Sequence, residues 1–256
     1  MTWVEGEEIA RGATAVVRRG TPGAVVKTFN PGIPSIVAHL EAAGSRVAMD
    51  AGLPVPAILD AAPDADPPTL TFAHVEGRSL AEQGEIIGPR GVGTVLAELQ
   101  HRIRAVPAPA LILPEEFLGF QVREADMPGT MREEALAGLD ALSAADPRVL
   151  CHMDLHHLNV LWADGPVIID WNNAMAAPAA ADVARTRTLL AHAVFSAPES
   201  REELGHVLDA FIERTEELAP GLVDESRGWD RVIAAARLDE NPPGAEREAI
   251  LERWAA

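Results

Sequence analysis

Residues 151–171 read CHMDLHHLNVLWADGPVIIDW. Three oxygen-bearing side chains in this stretch have the types and spacing for chemistry: Asp154, Asn159 and Asp170. NVLWA and PVIID are apolar β-like runs, and Asp164-Gly165 between them is a strong signal for a two-residue hairpin turn. In such a hairpin the outer ends of the two arms lie side by side, so Asn159 and Asp170 become neighbours. Asp154 lies on the loop that feeds the hairpin. The turn therefore delivers two carboxylates and an amide oxygen to one place. Hard oxygen donors of this kind suit Mg2+, with Asn159 and Asp170 as its ligands. Asp154 is left free to orient or deprotonate an attacking hydroxyl.

Other readings of the same residues are weaker. His152 and His156 have H-x-x-x-H spacing, but no Glu follows His152 as in a metalloprotease helix, and the segment runs into a hairpin. Cys151 beside His152 does not make a nucleophilic dyad, because sequence neighbours on a strand point apart. His152 reads more readily as a prop for the loop than as a proton carrier, though it stands with Asp154 as a candidate catalytic residue. Asp and Asn are also common turn residues, but three independent turns would then have to mimic one site.

Phosphoryl transfer from a nucleotide needs Mg2+ on the phosphates, a Lys on the phosphates and an Asp near the acceptor hydroxyl. His152, Asp154 and Asn159 form H-x-D-x-x-x-x-N, and Asp170 supplies the second metal ligand. The Lys is Lys27, in the strand AVVKTF. Glu41, the only acidic residue in the stretch 30–49, lies one helix later and is placed to hold it. The order Lys, Glu, hinge, Asp, Asn, Asp is that of a protein-kinase-like fold.

The elements that must position these groups fall into two regimes. TAVVRR and AVVKTF flank the turn RGTPG as a hairpin. PSIVAHLEAAGSRVAMDAG reads as a helix stopped by Gly52. LPVPAILDAA and TLTFAHV read as two further strands. From residue 78 the pattern is helical, broken only at 158–170. Helices are predicted in GVGTVLAELQHRIRAV, TMREEALAGLDALSA, AAADVARTRTLLAHAVF, REELGHVLDAFIERTEEL, WDRVIAAARL and EREAILERWA. The fold class expected is α+β and two-lobed: residues 1–77 as a small antiparallel-sheet lobe, residues 78–256 as a larger, mainly helical lobe.

With these residues in place, the chain resembles the aminoglycoside phosphotransferase and choline kinase family of small-molecule kinases. The resemblance is strongest at HMDLHHLNVLWADGPVIIDWNNA, beside the family's H-G-D-x-H-x-x-N and its I-D-W/F end. GLPVPAIL resembles the family's run into the third strand. FAHVEGRSL resembles the hinge that carries the adenine, which implies backbone contacts near Ala73 and Val75. ADVART resembles the segment whose Asp, here Asp182, anchors the catalytic loop. The nucleotide loop is EIARGATAVV, with the single glycine Gly12. Met153 stands where the family has Gly, and His157-Leu158 where Pro-Gly is common. The resemblance implies transfer of the γ-phosphate of ATP or GTP to a hydroxyl of a small molecule. Its rival is a catalytically weak pseudokinase, a nucleotide-binding or interaction module.

Composition bounds the remaining choices. The formal charge is −18, from 21 basic and 39 acidic residues, which argues against nucleic-acid binding. Cys151 is the only cysteine, so no intrachain disulfide forms. No signal peptide and no membrane-spanning run is visible. These features fit a cytoplasmic protein, monomeric or homodimeric. The P-loop pattern fails at Val26, no G-x-S-x-G elbow occurs, and no D-F-G or A-P-E pair marks a protein kinase. For the acceptor, Glu115, Glu116, Glu133, Glu134, Asp224, Glu225, Asp230 and Glu240 suggest a carboxylate wall that favours an aminoglycoside or amino-sugar-like cation. The chain has no tyrosine, so an aromatic box for choline is poorly supplied.

Overall fold

The computed structural model describes residues 4–108, 110–144 and 147–255. In chain order the small lobe holds β1 (Glu8–Arg11), β2 (Ala15–Arg19), β3 (Ala24–Phe29), α1 (Ser35–Asp50), β4 (Ile58–Ala62) and β5 (Thr69–Ala73). The larger part follows with β6 (Arg78–Ser79), α2 (Leu80–Ile103), α3 (Pro114–Glu124), α4 (Gly129–Ser143), β7 (Arg148–Cys151), β8 (Val160–Trp162), β9 (Pro166–Ile168) and β10 (Met175–Pro178). It ends with α5 (Ala179–His192), α6 (Arg201–Leu218), α7 (Leu222–Arg227), α8 (Asp230–Arg237) and α9 (Gly244–Ala255). The fold is two-lobed and protein-kinase-like, an antiparallel five-stranded sheet in the order β1-β2-β3-β5-β4 on a mainly helical lobe.

The predicted hairpin is β2–β3, paired in the register Val17↔Lys27. The edge strand β1 is not legible in the sequence: all four of its residues are exposed, so no alternation of apolar and polar residues marks it. The glycine stop after α1 is as expected, with Gly52 at φ +72°, a conformation that glycine adopts without steric penalty.

The passage into the larger lobe differs from the sequence reading. EGRSL does not simply hand over from sheet to helix. Arg78 and Ser79 form β6, which pairs with β8 as Arg78↔Trp162 and Ser79↔Leu161. Gly77 lies so close to this partner that a Cβ there would meet the Trp162 carbonyl oxygen at 2.4 Å. The helix that follows begins eleven residues before GVGTVLAELQ, at Leu80, under a capping box of Ser79 and Glu82. It is kinked at Gly88 (φ 74°, ψ 162°), just before Pro89, which is why periodicity registered only its second half. Helices α3 and α7 lie in segments where the sequence pattern predicts none.

Two cores result. A small one under the sheet joins Ala15, Phe29, Ala38, Ala42 and Leu70. The large one runs through the helical lobe and includes Leu96, Ile103, Leu139, Leu150, Trp171, Phe211 and Trp229. Helix α1 bridges the lobes. Its Gly44 faces the segment after β9, where a Cβ would meet the Ala174 Cβ at 2.5 Å and the Trp171 carbonyl oxygen at 3.2 Å. Glu41 lies three residues earlier on the same face, so this close packing carries Glu41 to the β8–β9 hairpin.

Candidate active site

Lys27 sits on β3 and Glu41 on α1, and both side chains are buried. The Lys27 Nζ lies 2.7 Å from Glu41 Oε2 and 2.8 Å from Asp170 Oδ1. Burial alone would lower the lysine pKa; the two carboxylates overcome it and the pKa is raised. Burial pushes the Glu41 carboxyl up to about 7, against the pull of Lys27. The lysine is thus a charged head held between a buried acid and the acid of the hairpin, across 143 residues of sequence.

The hairpin is present, β8 with β9, although its loop is Ala163–Gly165 between the paired Trp162 and Pro166. The expected two-residue turn gains a third residue. The Ile169 N–H donates to the Asn159 carbonyl at 3.0 Å, which sets Asp170 beside Asn159. Asn159 donates from Nδ2 to the Asp154 carbonyl and to Asp154 Oδ2, both at 2.9 Å. With its amide nitrogen fixed in this way, the Oδ1 of Asn159 remains as an acceptor.

Asp154 is largely buried. Its Oδ2 lies 3.8 Å from His156 Nε2, and its Oδ1 3.6 Å from the Arg185 guanidinium. Burial works to raise its pKa, but His156 and Arg185 overrule it and hold the carboxyl below its usual range. It is therefore an anion at neutral pH, as a base requires.

His152 is fully buried. Its Nε2 meets the Ile169 carbonyl at 3.1 Å and its Nδ1 accepts the Asp154 N–H at 3.2 Å. Both nitrogens are thereby occupied by backbone, and burial lowers its pKa. The ring stacks obliquely on Trp171, with centroids 4.5 Å apart. This geometry is that of a prop joining the loop to the hairpin, and it leaves no nitrogen for an acceptor.

Met153 has φ +59° and Asp170 φ +66°, the left-handed region where a side chain is strained. Met153 stands at the position where the family carries glycine, and the backbone shows why glycine suits it. The strain is held from both sides. Asp182 accepts the Met153 N–H at 2.8 Å, and Arg185 Nε donates to the Met153 carbonyl at 3.0 Å. Arg185 is in turn held by Glu240 at 2.7 and 2.8 Å. Arg185 and Glu240 are the positioning pair that sequence reasoning missed; they lie 55 residues apart, so no local spacing connects them.

On the nucleotide side, Gly12 donates to the Ala15 carbonyl at 2.9 Å, and Asn30 Nδ2 ties the Ala13 carbonyl at 2.9 Å. The Ala73 N–H is occupied by the Ala57 carbonyl at 2.8 Å. Val75 makes no backbone hydrogen bond among the described residues, which leaves its N–H and carbonyl available to a ligand edge. The donors fit Mg2+: two residues would supply oxygen, and phosphate and water would fill the remaining places of such an ion.

Five of the eight acids of the expected carboxylate wall are ion-paired within the chain, while Glu133 and Glu225 make no ion pair among the described residues. Glu115 pairs with Arg148, Glu134 with Arg231, Asp224 with Arg227, Asp230 with Arg187 and Glu240 with Arg185. Glu116 binds the Leu113 N–H at the start of α3.

Known proteins share this arrangement of chain. Choline kinase LicA from Streptococcus pneumoniae superposes with a TM-score of 0.62 at 14% identity, over 96% of this chain and 90% of that one. An aminoglycoside-3'-phosphotransferase of type VIII gives 0.60 at 22%, over 93% and 92%. The complex of APH(2'')-IIa with streptomycin and ATP gives 0.59 at 11%, over 96% and 89%. At such identities the likeness is one of fold. A search of curated proteins finds no match. The phosphotransferase enzyme family APH matches residues 5–232, a span that takes in Lys27, Glu41, Asp154, Asn159 and Asp170, and this chain belongs to that family.

Proposed function

We propose that the protein transfers the γ-phosphate of ATP, or of GTP, to a hydroxyl of a small molecule. The observation that carries this reading is the convergence of Lys27, Glu41 and Asp170 within 2.8 Å contacts, beside an Asn159 locked to Asp154. In this reading residues 1–77 bind the nucleotide, with the chain around Ala73 and Val75 as hinge and the Gly12 loop over the phosphates. Lys27 holds the α- and β-phosphates and Glu41 positions Lys27. Asn159 Oδ1 and the Asp170 carboxylate would hold Mg2+, which when bound supplies charge neutralisation at the phosphates. Asp154 orients the acceptor hydroxyl and takes its proton, while His152 holds the loop. Residues 78–256 carry the catalytic hairpin and the acceptor site. No helix is long and apolar enough to cross a membrane among the described residues, and a need for ATP supports a cytoplasmic setting. The charge of −18 supports an acceptor with cationic character, drawn by the summed field.

The test is phosphate transfer from Mg-ATP over a panel of aminoglycosides, amino sugars, choline, ethanolamine, homoserine and macrolides. Asp154→Asn should lower turnover on a responsive acceptor by about 10²–10⁴-fold while nucleotide binding persists. Full activity of that variant would refute the role of Asp154. Nucleotide binding with no transfer to any member would favour the non-catalytic module.

A further inference from the structure

A cavity of about 250 Å3 lies between α5, α6, α8 and α9, lined by no residue of the small lobe or of the loop that carries Asp154. On α5 the two places are served by different side chains: Arg185 turns to Met153 and Glu240, and Arg187 to Asp230 at the cavity. The floor of the cavity is apolar, built from Leu208 and Ile212 of α6, Ala234 of α8 and Ile250 of α9. The half-buried Trp254 lines it as well. Its charged lining is mostly basic: Arg187, Arg231 and Arg253 against one carboxylate, Asp230. In a chain of net charge −18, this is the reverse of the average surface.

Each of the three arginines keeps donors in reserve. A guanidinium carries several N–H groups in a rigid fork. Arg187 uses Nη1 alone, which donates to Asp230 Oδ1 at 2.9 Å and to Ser226 Oγ at 3.1 Å. Arg231 also uses Nη1 alone, on Glu134 Oε2 at 3.1 Å, and its guanidinium carbon lies 5.2 Å from the centre of the Trp254 ring. The exposed Arg253 side chain makes no ion pair or hydrogen bond among the described residues. The other N–H groups of all three are likewise unpaired among the described residues. Unpaired guanidinium forks around an apolar floor complement an anion with an apolar body, because a carboxylate accepts two parallel N–H bonds from such a fork.

We propose that this cavity is a ligand site separate from the candidate active site, and that its ligand is a small aromatic carboxylate. The arginine forks take the carboxylate. The ring covers the apolar floor, which supplies affinity in proportion to buried surface, and packs against Trp254. A cation would meet the three arginines, and a small hydrophilic anion would leave the floor unfilled. The inference does not depend on the phosphotransfer reading, since none of the residues assigned to that chemistry lines the cavity.

The probes are 2-naphthoate, benzoate and the neutral 2-naphthalenemethanol, with dissociation constants read by ligand-observed NMR on the full chain, with and without Mg-ATP. The naphthoate should bind about tenfold more tightly than the alcohol, through its charged contacts. It should also bind about tenfold more tightly than benzoate, through the apolar surface of its second ring. Arg231→Gln with Arg253→Gln, both at exposed positions, should erase the preference for the carboxylate and keep the preference for the second ring. Ala234→Trp, which fills the floor, should abolish binding of all three probes; the arginine pair carries the test should Ala234→Trp not fold. Equal affinity for naphthoate and alcohol, or a carboxylate preference that survives the double substitution, overturns the proposal. Displacement of the naphthoate by Mg-ATP also overturns it, because the probe would then lie in the nucleotide cleft.

Discussion

Met153 shows how one residue can oppose itself. A non-glycine residue at φ +59° is strained by about 1–2 kcal/mol, and glycine would relieve this. Yet the Met153 side chain is 2% exposed, and deleting a buried methionine costs about 2–5 kcal/mol. The packing loss outweighs the strain. Met153→Gly should therefore destabilise the protein by about 1–3 kcal/mol in chemical denaturation, although the family carries glycine at this position. A stabilised variant would mean that the side chain is poorly packed. The neighbouring residues explain why the strain persists: Asp182 and Arg185 fix the N–H and the carbonyl on either side of the Met153 Cα.

At the scale of elements, α9 is fastened to the body of the lobe by charge. Glu246, 1% exposed, accepts from Arg237 Nε at 2.8 Å and meets His192 Nδ1 at 3.1 Å. Burial works to raise its pKa, but the hydrogen bonds from His192 and Arg237 prevail and lower it from 4.5 to about 2. A carboxyl depressed in the folded state adds stability above its unfolded pKa and loses it as pH falls through the folded one. The stability gap between the native protein and Glu246→Gln should be level above pH 4.5 and shrink from there down to about pH 2. At neutral pH the gap should be about 3 kcal/mol, the free-energy equivalent of the depression from 4.5 to about 2, while Arg237 keeps Glu240 as a partner. A gap that does not vary over this interval would show that the depressed titration is absent.

For the whole molecule, the two lobes meet where Lys27 from the sheet touches Glu41 from α1 and Asp170 from the hairpin. On the proposed function, nucleotide binding would draw on both lobes together. Saturating Mg-ATP at about 100 times its Kd should stabilise the native protein by about 2.7 kcal/mol, read as a rise in Tm. Lys27→Met should lose most of that rise relative to its own ligand-free Tm, and Asp154→Asn should keep it, because the proposed role of Asp154 is on the acceptor side. An equal rise in the Lys27 variant would remove the lysine from the phosphate site. The net charge of −18 is also distributed differently in the folded molecule, where arginines pair with five of the eight acids of the expected wall.

The sequence by itself determined which residues make up the candidate site and most of the frame. Asp154, Asn159, Asp170, Lys27 and Glu41 were legible because each lies in a short pattern with a local signature: a hairpin, a loop feeding it, an alternating strand and a helix with one acid. The five-stranded sheet was nearly complete on the same grounds, and β1 escaped because an exposed edge strand has no buried face to write an alternation. Tertiary structure alone decided the rest. The Arg185–Glu240 clamp, the Gly44 contact that brings α1 to Trp171, and the close approach of Gly93 on α2 to Val207 on α6 join residues far apart in the chain. Their partners are chosen by packing in three dimensions, and packing leaves no periodicity in the sequence for a reader to find.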